Sequence, residues 1–128
     1  NPFRTYPLVN DYVKFKKLVE EKNVDCYIVN TGDFMGQKCK PADTLGIIEA
    51  IVEKRAEFHK WGNFEDVEIM DWEGFNVDLN DADYKAQLKN AMQNRVDAVE
   101  KFATAKDGYD KLPDEALAAL KRLVDALS

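Results

Sequence analysis

Histidine and cysteine are scarce in this 128-residue sequence, which contains one histidine and two cysteines. His59 has no neighbour at metal-ligand spacing, so the sequence favours a solvated histidine near a helix end over a ligand. Cys26 and Cys39 could pair, but no secretory signal is recognisable, which favours two reduced thiols. We expect Cys26 to pack as a small apolar side chain at the start of a strand.

Long apolar runs and an excess of positive charge are also missing. No run approaches the roughly 20 residues that a membrane-spanning helix needs, so no membrane span is expected. The chain has 18 basic and 24 acidic residues and a net charge of −6, and its lysines are interleaved with acids. This pattern argues against a nucleic-acid partner, which normally requires a basic patch. A small anionic ligand is compatible with it, because a helix N-terminus and a few lysines can hold phosphate in an acidic protein.

Common catalytic motifs are absent as well. Gly32, Gly36 and Lys38 come close to the spacing of a phosphate-binding P-loop, but that motif requires four residues between the glycines and a lysine directly after the second. Three residues separate these glycines, and Gln37 precedes the lysine. The sequence also offers no metal-ligand cluster, no paired carboxylates that demand a catalytic role, and no nucleophile with an adjacent base.

The composition is that of a folded domain. A hydrophobic fraction of 45% with 33% charged residues is ordinary for a globular protein, and a chain of this length buries roughly two-thirds of its unfolded surface. We predict that residues 1–128 form a single domain. The start at Asn1-Pro2 without a methionine is expected to be a cut in a longer chain.

Strand, loop and helix signals follow one another between Cys26 and Ala50. The apolar run Cys26–Val29 predicts a buried strand that ends at a turn, followed by a polar, glycine-containing loop. Apolar residues at helical spacing then predict a helix from Leu45 to about Phe58, with Asp43 as its N-cap. Such a unit commonly holds a nucleotide at the carboxyl end of a sheet, although a purely structural connection is an equally good interpretation of the pattern.

The flanking regions predict further helices and a hairpin. A helix should begin at Asn10-Asp11 and end at Asn23, a long one should follow Leu79-Asn80-Asp81, and a last one should open at Pro113. Loose alternation over residues 64–77, with a bend at Gly74, predicts two short strands.

We therefore predict an α/β fold, with α+β as the alternative. It should consist of a small strand–loop–helix layer and a short hairpin, covered by a C-terminal helical hairpin. Four aromatic side chains in the middle of the chain are expected to pack in the core rather than to stack on nucleobases. They are Trp61, Phe64, Trp72 and Phe75.

Several short motifs, in the same order, resemble the C-terminal region of ATP-dependent phosphoenolpyruvate carboxykinases. They are Val29-Asn30-Thr31-Gly32, a glycine-bearing loop with a basic residue, Asp43-Thr44, the helix containing Ile47-Ile48 and Ala50-Ile51, and downstream Phe75-Asn76-Val77. In that family the corresponding loop leads into the sequence Lys-Arg-Ile-Ser, and the helix begins at Asp-Thr. The resemblance implies that the chain is the C-terminal part of a cytoplasmic decarboxylating lyase of gluconeogenesis. Such an enzyme converts oxaloacetate and ATP to phosphoenolpyruvate, CO₂ and ADP.

The resemblance also implies which residues would contact the nucleotide. The matching loop lies on the purine and ribose side of the site, where Thr44 matches the family threonine, Lys38 replaces an arginine and Cys39 replaces an isoleucine. Lysine cannot stack as a plane on a purine as guanidinium does. Because the loop is about one residue shorter than usual, Lys40 is the alternative to Lys38. The divalent metal (Mg or Mn), the phosphates and oxaloacetate would be held by an upstream domain of the same chain, so the isolated segment should be inactive.

Two other classes of function stay open at this point. The chain could be a nucleotide-binding or regulatory module without chemistry, or an unrelated α+β interaction domain in which Val-Asn-Thr-Gly occurs by accident.

Overall fold

The computed structural model describes residues 3–75 and 77–128, with the exception of the Lys106 side chain. These residues form four α-helices and two separate two-stranded antiparallel sheets, which confirms a mixed α/β class with a C-terminal pair of helices. The helices are α1 (Leu8–Lys22), α2 (Pro41–Val52), α3 (Ala82–Thr104) and α4 (Asp114–Ala126). The strands are β1 (Asp33–Phe34), β2 (Gln37–Lys38), β3 (Phe58–Lys60) and β4 (Glu68–Met70).

The chain divides into two compact units. The first consists of the residues up to Cys26 together with Gln87–Ser128, and the second of Tyr27–Ala86. That residues 1–128 form one domain of a longer enzyme stays a prediction. Within the described residues, no helix combines the length and the apolar character that crossing a membrane requires.

The first unit contains α1, most of α3, and α4, with Val96 and Leu127 buried. Helix α1 starts at Leu8, slightly before the predicted start, and ends at Asn23, whose left-handed backbone (φ 50°) confirms the predicted C-cap. The N-cap signal before α3 is also confirmed, since the Asp81 carboxylate accepts a hydrogen bond from the Tyr84 backbone N–H at 2.9 Å. Helix α4 begins directly after Pro113, as predicted.

A polar cluster connects α1 to α4. Glu115 accepts hydrogen bonds from the Lys16 ammonium at 2.7 Å and from the Tyr12 hydroxyl at 3.0 Å. The bond from Lys16, and then that from Tyr12, hold the pKa of the Glu115 carboxyl below its ordinary value. Because the folded state favours the ionised carboxylate, this cluster stabilises the unit above the ordinary pKa, and the stabilisation is lost as the pH falls through the lowered pKa.

Replacing Glu115 by glutamine should therefore lower the unfolding temperature at neutral pH and leave little difference from wild type in acid. Circular dichroism melts between about pH 7 and about pH 3 check this expectation. Glu21→Gln is the matched control on α1, because it removes only a long, exposed contact with Lys17 at 3.7 Å. A Glu115→Gln variant that is as stable as wild type at neutral pH would contradict the stabilising role of the cluster.

In the second unit, β1 and β2 form a tight hairpin around Met35-Gly36, both of which have positive φ (49° and 79°). Phe34 is half-buried on the inner face, with its ring centroid 5.8 Å from that of Phe75 and 5.6 Å from that of Tyr84. Burial also raises the pKa of the Tyr84 hydroxyl. The predicted polar loop therefore contains a hairpin with an exposed outer face, and Phe34 on its inner face packs against Phe75 and Tyr84.

The second hairpin corrects two predictions. Strand β3 pairs with β4, with His59 opposite Ile69, in residues that the sequence assigned to the end of a helix. Helix α2 instead ends at Val52, and two residues later Lys54 turns the chain with a positive φ of 57°. Of the two strands predicted over residues 64–77, one is present as β4, and in place of the other there is a single bridge between Trp72 and Phe75. Asn76 lies outside the described residues.

The predicted aromatic core is confirmed for Phe64, which is only 5% exposed and lies 5.1 Å from the Trp61 ring. Trp61, Trp72 and Phe75 are half-buried. Trp72 lies against α2 at Gly46, and Phe75 packs on Phe34.

The buried strand predicted at Cys26–Val29 is wrong for the described residues. Residues 24–30 form neither helix nor strand, and Cys26, expected to pack as a small apolar side chain, is exposed. Strand propensity is local, but a strand forms only where a neighbouring segment supplies hydrogen-bond partners.

Candidate functional site

Asn30 shapes the start of the loop that the resemblance identifies. Its side-chain oxygen accepts a hydrogen bond from the Gly32 N–H at 3.0 Å, and its side-chain amide donates to the Asp33 carbonyl at 3.1 Å. This is the local turn that asparagine favours. The Cys39 N–H then donates to the Gly32 carbonyl at 2.8 Å and closes the base of the β1–β2 hairpin. The side chain of the asparagine in the Val-Asn-Thr-Gly motif thus holds the backbone turn at the start of the loop.

Register places a charged pair on the outer face of this hairpin. Asp33 lies directly opposite Lys38, and both are exposed. The Cys39 N–H bonds to the Gly32 carbonyl, so the next pair along the hairpin, Asp33 and Lys38, is a non-hydrogen-bonded pair. In such a pair the facing side chains approach each other most closely. A ligand bound at Lys38 would therefore lie on the same face of the hairpin as the Asp33 carboxylate.

The end of the loop leads directly into α2. The N-cap is Lys40, not Asp43 as predicted, and Pro41 is the first helical residue. Asp43 lies in the first turn, where its carboxylate accepts a hydrogen bond from the Lys40 N–H at 2.9 Å. A negative charge at this position already offsets the positive end of the helix dipole. This helix N-terminus is therefore poorly suited to a second anion such as phosphate.

The three predicted site residues differ in accessibility. Lys38 is exposed, Thr44 is half-buried on the first turn of α2, and Cys39 is only 8% exposed. Consecutive residues of an extended chain face opposite sides, so Lys38 and Cys39 do not present their side chains to the same surface. Lys40, the alternative to Lys38, is exposed. That these residues contact a nucleotide stays a prediction.

One residue near this loop, Gly46, was missed by the sequence reasoning. A Cβ placed on Gly46 would lie 2.8 Å from the Trp72 indole, so the ring packs directly on the helix backbone. A glycine inside an apolar helical stripe is the signal that could have revealed this close approach, because glycine is otherwise unfavourable there. Trp72 thus lies on the helix that carries Thr44.

A cleft of about 530 Å³ opens beside this packing. Its lining includes Ala50, Arg55, Phe58, His59, Asp71 and Trp72. The Arg55 guanidinium pairs with Glu53 at 2.6 Å, and the His59 ring lies 3.5 Å from the Asp71 carboxylate. The Arg55 charge at its rim is therefore matched by Glu53.

The divalent metal that carboxykinases use does not fit the side chains described. Within residues 3–75 and 77–128, no three histidine, cysteine, aspartate or glutamate side chains converge in a way that could hold a metal ion. Oxygen-rich metal sites need several such ligands around one point. We therefore assign no metal chemistry to these residues.

Comparison with known proteins adds no relative. No family model matches the chain, and no curated protein or solved structure shows significant similarity to it.

Proposed function

We propose that this chain is the nucleotide-side part of an ATP-dependent phosphoenolpyruvate carboxykinase, acting in the cytoplasm. The loop from Gly32 to Thr44 would contact the purine and ribose of ATP. The phosphates, the divalent metal and oxaloacetate would be held by an upstream part of the same enzyme. The order of the Val-Asn-Thr-Gly, Asp-Thr and Phe-Asn-Val motifs is the sequence argument for this family.

One structural observation supports placing the purine and ribose at this loop and the phosphates in the upstream part of the enzyme. The loop presents the Lys38 ammonium on an exposed hairpin face, directly before a helix whose N-terminus is already neutralised by Asp43. Such a surface suits the less charged end of a nucleotide, because a triphosphate would meet the carboxylates of both Asp33 and Asp43. The Thr44 hydroxyl, one turn into α2, can donate to a ring nitrogen or accept from an exocyclic amine.

The test is a pair of substitutions in the complete enzyme. Lys38→Ala combined with Thr44→Val should raise the KM for ATP about tenfold, because one lysine contact and one hydroxyl hydrogen bond together contribute about 1–3 kcal/mol. The KM for oxaloacetate should stay nearly unchanged. Steady-state kinetics with each substrate varied in turn measures both constants.

Lys17→Ala is the matched control, because Lys17 is an exposed lysine on α1. It should alter neither constant. Equal effects of the double substitution on both substrates, or no effect on either, would show that the loop is structural. Lys40→Ala, tested separately, decides which of the two lysines makes the contact.

Residues 1–128 alone should show no carboxykinase turnover, since groups that stabilise a transferring phosphoryl charge are assigned to the rest of the enzyme. They should bind ATP weakly, with a Kd near about 1 mM, which corresponds to about −4 kcal/mol. A titration of the amide NMR spectrum measures affinity in this range. Oxaloacetate-dependent ATP consumption by the purified chain would contradict the proposal.

A non-catalytic nucleotide-binding or protein-interaction module is the second candidate. The cleft of about 530 Å³ in the second unit, whose lining includes Phe58 and Trp72, is the observation that favours it. Carboxykinase turnover by the complete polypeptide would exclude it.

A further inference from the structure

Helix α1 carries two large apolar side chains that lie mostly in solvent. Phe15 is 61% exposed and Leu18 is 48% exposed. The side of α1 that packs within its own unit is a different one, since Tyr12 and Lys16 contact Glu115 on α4. Neighbouring exposed side chains of this size are the usual anchors of a contact between two helices.

The two side chains belong to a longer stripe, which we call the α1 stripe. It consists of four residues at intervals of four, three and four positions, Asp11, Phe15, Leu18 and Lys22. With about 3.6 residues per turn, these positions lie within roughly 60° of one another around the helix, and their spacing is that of a coiled-coil seam. Lys22 is exposed and Asp11 is half-buried. A hydrogen bond to the Asp11 carboxylate raises the pKa of the Tyr6 hydroxyl, and a carboxylate has further acceptor sites for a lysine.

The order of residues in the α1 stripe is self-complementary. The midpoint between Phe15 and Leu18 is also the midpoint between Asp11 and Lys22. When a second copy of α1 lies antiparallel, with a two-fold axis at this midpoint, Phe15 of each copy faces Leu18 of the other. At each end of the stripe, Asp11 then faces Lys22. In a parallel pair each residue would face its own equivalent, so like charges would meet at both ends. Charge therefore favours the antiparallel arrangement.

A second pair of opposite charges lies on one flank of the α1 stripe. Lys14 and Glu21 are both exposed and lie about two helical turns apart. Around the same two-fold axis, Lys14 of one copy comes within about 3 Å, measured along the helix, of the level of Glu21 of the other. Residues in such flanking positions set the choice and the orientation of the partner helix. Within one copy their contacts are long, since Glu21 lies 3.7 Å from Lys17 and the Lys14 ammonium lies 5.5 Å from the centroid of the Tyr6 ring.

We infer that this chain forms a two-fold symmetric dimer through the α1 stripe, with the two α1 helices antiparallel. A Phe15–Leu18 contact lies on each side of the axis, and an Asp11–Lys22 pair lies at each end. Two large apolar side chains per copy bury less than the roughly 800 Å² per partner of a standard interface, so the dimer should be weak, with a Kd on the order of 100 µM. The chain is then monomeric at the low micromolar concentrations of melting experiments. Dimer formation does not depend on the proposed function, because all of these residues belong to α1.

Sedimentation equilibrium of the chain, from about 10 µM to about 1 mM, tests this contact. The average mass should rise from that of one chain towards that of two. Phe15→Glu places a charge at the centre of the contact and should weaken the dimer at least about tenfold. Val13→Glu is the matched control. It changes the net charge equally at a 55% exposed position on α1 that lies about 170° from the α1 stripe, and it should leave the dimer unchanged.

A wild-type chain that stays monomeric up to about 1 mM would overturn the inference. So would a dimer that Phe15→Glu leaves intact, because the association would then use another surface. Equal weakening by Phe15→Glu and Val13→Glu would also overturn it, since the effect would follow from net charge alone.

Exchange of the end charges tests the orientation. Lys22→Glu should weaken the homodimer about tenfold, because it places a second carboxylate opposite Asp11 at both ends, and Asp11→Lys should do the same with two ammonium groups. An equimolar mixture of the two variants should associate about as tightly as wild type, since opposite charges face each other again. In a parallel pair, Lys22→Glu would exchange one like-charged pair for another, so an unchanged homodimer would overturn the antiparallel arrangement. Circular dichroism checks that each variant keeps its helices, and if Asp11→Lys does not fold, Lys22→Glu alone still decides the orientation.

Discussion

Replacing Phe64 by alanine is expected to lower the free energy of unfolding of the second unit by about 3–5 kcal/mol. Phe64 is 5% exposed and packs against Trp61, so its removal leaves a cavity that rigid neighbours fill poorly. A loss of this size is a large part of the stability of an ordinary domain. Replacing the half-buried Phe75 by alanine should lower the free energy of unfolding by less, because less of its surface is removed from water.

Urea unfolding followed by tryptophan fluorescence measures this effect, because both tryptophans of the chain, Trp61 and Trp72, lie in the second unit. Phe58→Ala is the matched control within the second unit. It makes the same chemical change at a strand position that is 37% exposed, and it should have a smaller effect. A Phe64→Ala midpoint equal to that of wild type would mean that Phe64 is not part of the core.

Replacing Gly46 by alanine is expected to destabilise the second unit by about 1–3 kcal/mol, which is the usual cost of overpacking. In an open helix the same change would stabilise by up to about 1 kcal/mol, because glycine is a poor helix former. Here the new Cβ would lie 2.8 Å and 3.0 Å from two atoms of the Trp72 indole. The sign of the effect therefore reports whether the indole lies on the backbone of α2.

A double-mutant cycle with Trp72→Phe isolates this contact, because phenylalanine lacks the fused ring system that meets position 46. In the Trp72→Phe background, the cost of Gly46→Ala should fall to near zero or reverse. Since this substitution leaves only Trp61 as a fluorescent probe, circular dichroism should follow all four proteins. Gly32→Ala, where the nearest atom outside the local backbone is Asn30 Oδ1 at 3.6 Å, is the control for adding a methyl group without a clash. Equal costs of Gly46→Ala in both backgrounds would place the strain elsewhere.

For the candidate site, the sequence predicted the loop and its neighbouring helix but not the surface that they form. The motif residues and the exposed Lys38 were visible as a pattern. The position of Asp33 opposite Lys38, and the burial of Cys39 behind it, depend on the register of the hairpin. Register follows from the turn at Met35-Gly36, which has no strong sequence signature because methionine rarely takes a positive φ.

The sequence by itself determined three helix ends that depend on residues within one helical turn, although the Asp43 predicted as the N-cap of α2 lies in its first turn instead. Asn23 ends α1, Asp81 caps α3 and Pro113 precedes α4, because each acts on backbone groups only a few positions away. Tertiary structure decided everything that needs a distant partner. Phe58–Lys60 became a strand because Glu68–Met70 pairs with it. Residues 24–29 have equal or better strand propensity, but no described segment forms backbone hydrogen bonds with them, although the Tyr27 ring packs near that of Phe58. A helix satisfies its own backbone, whereas a strand cannot.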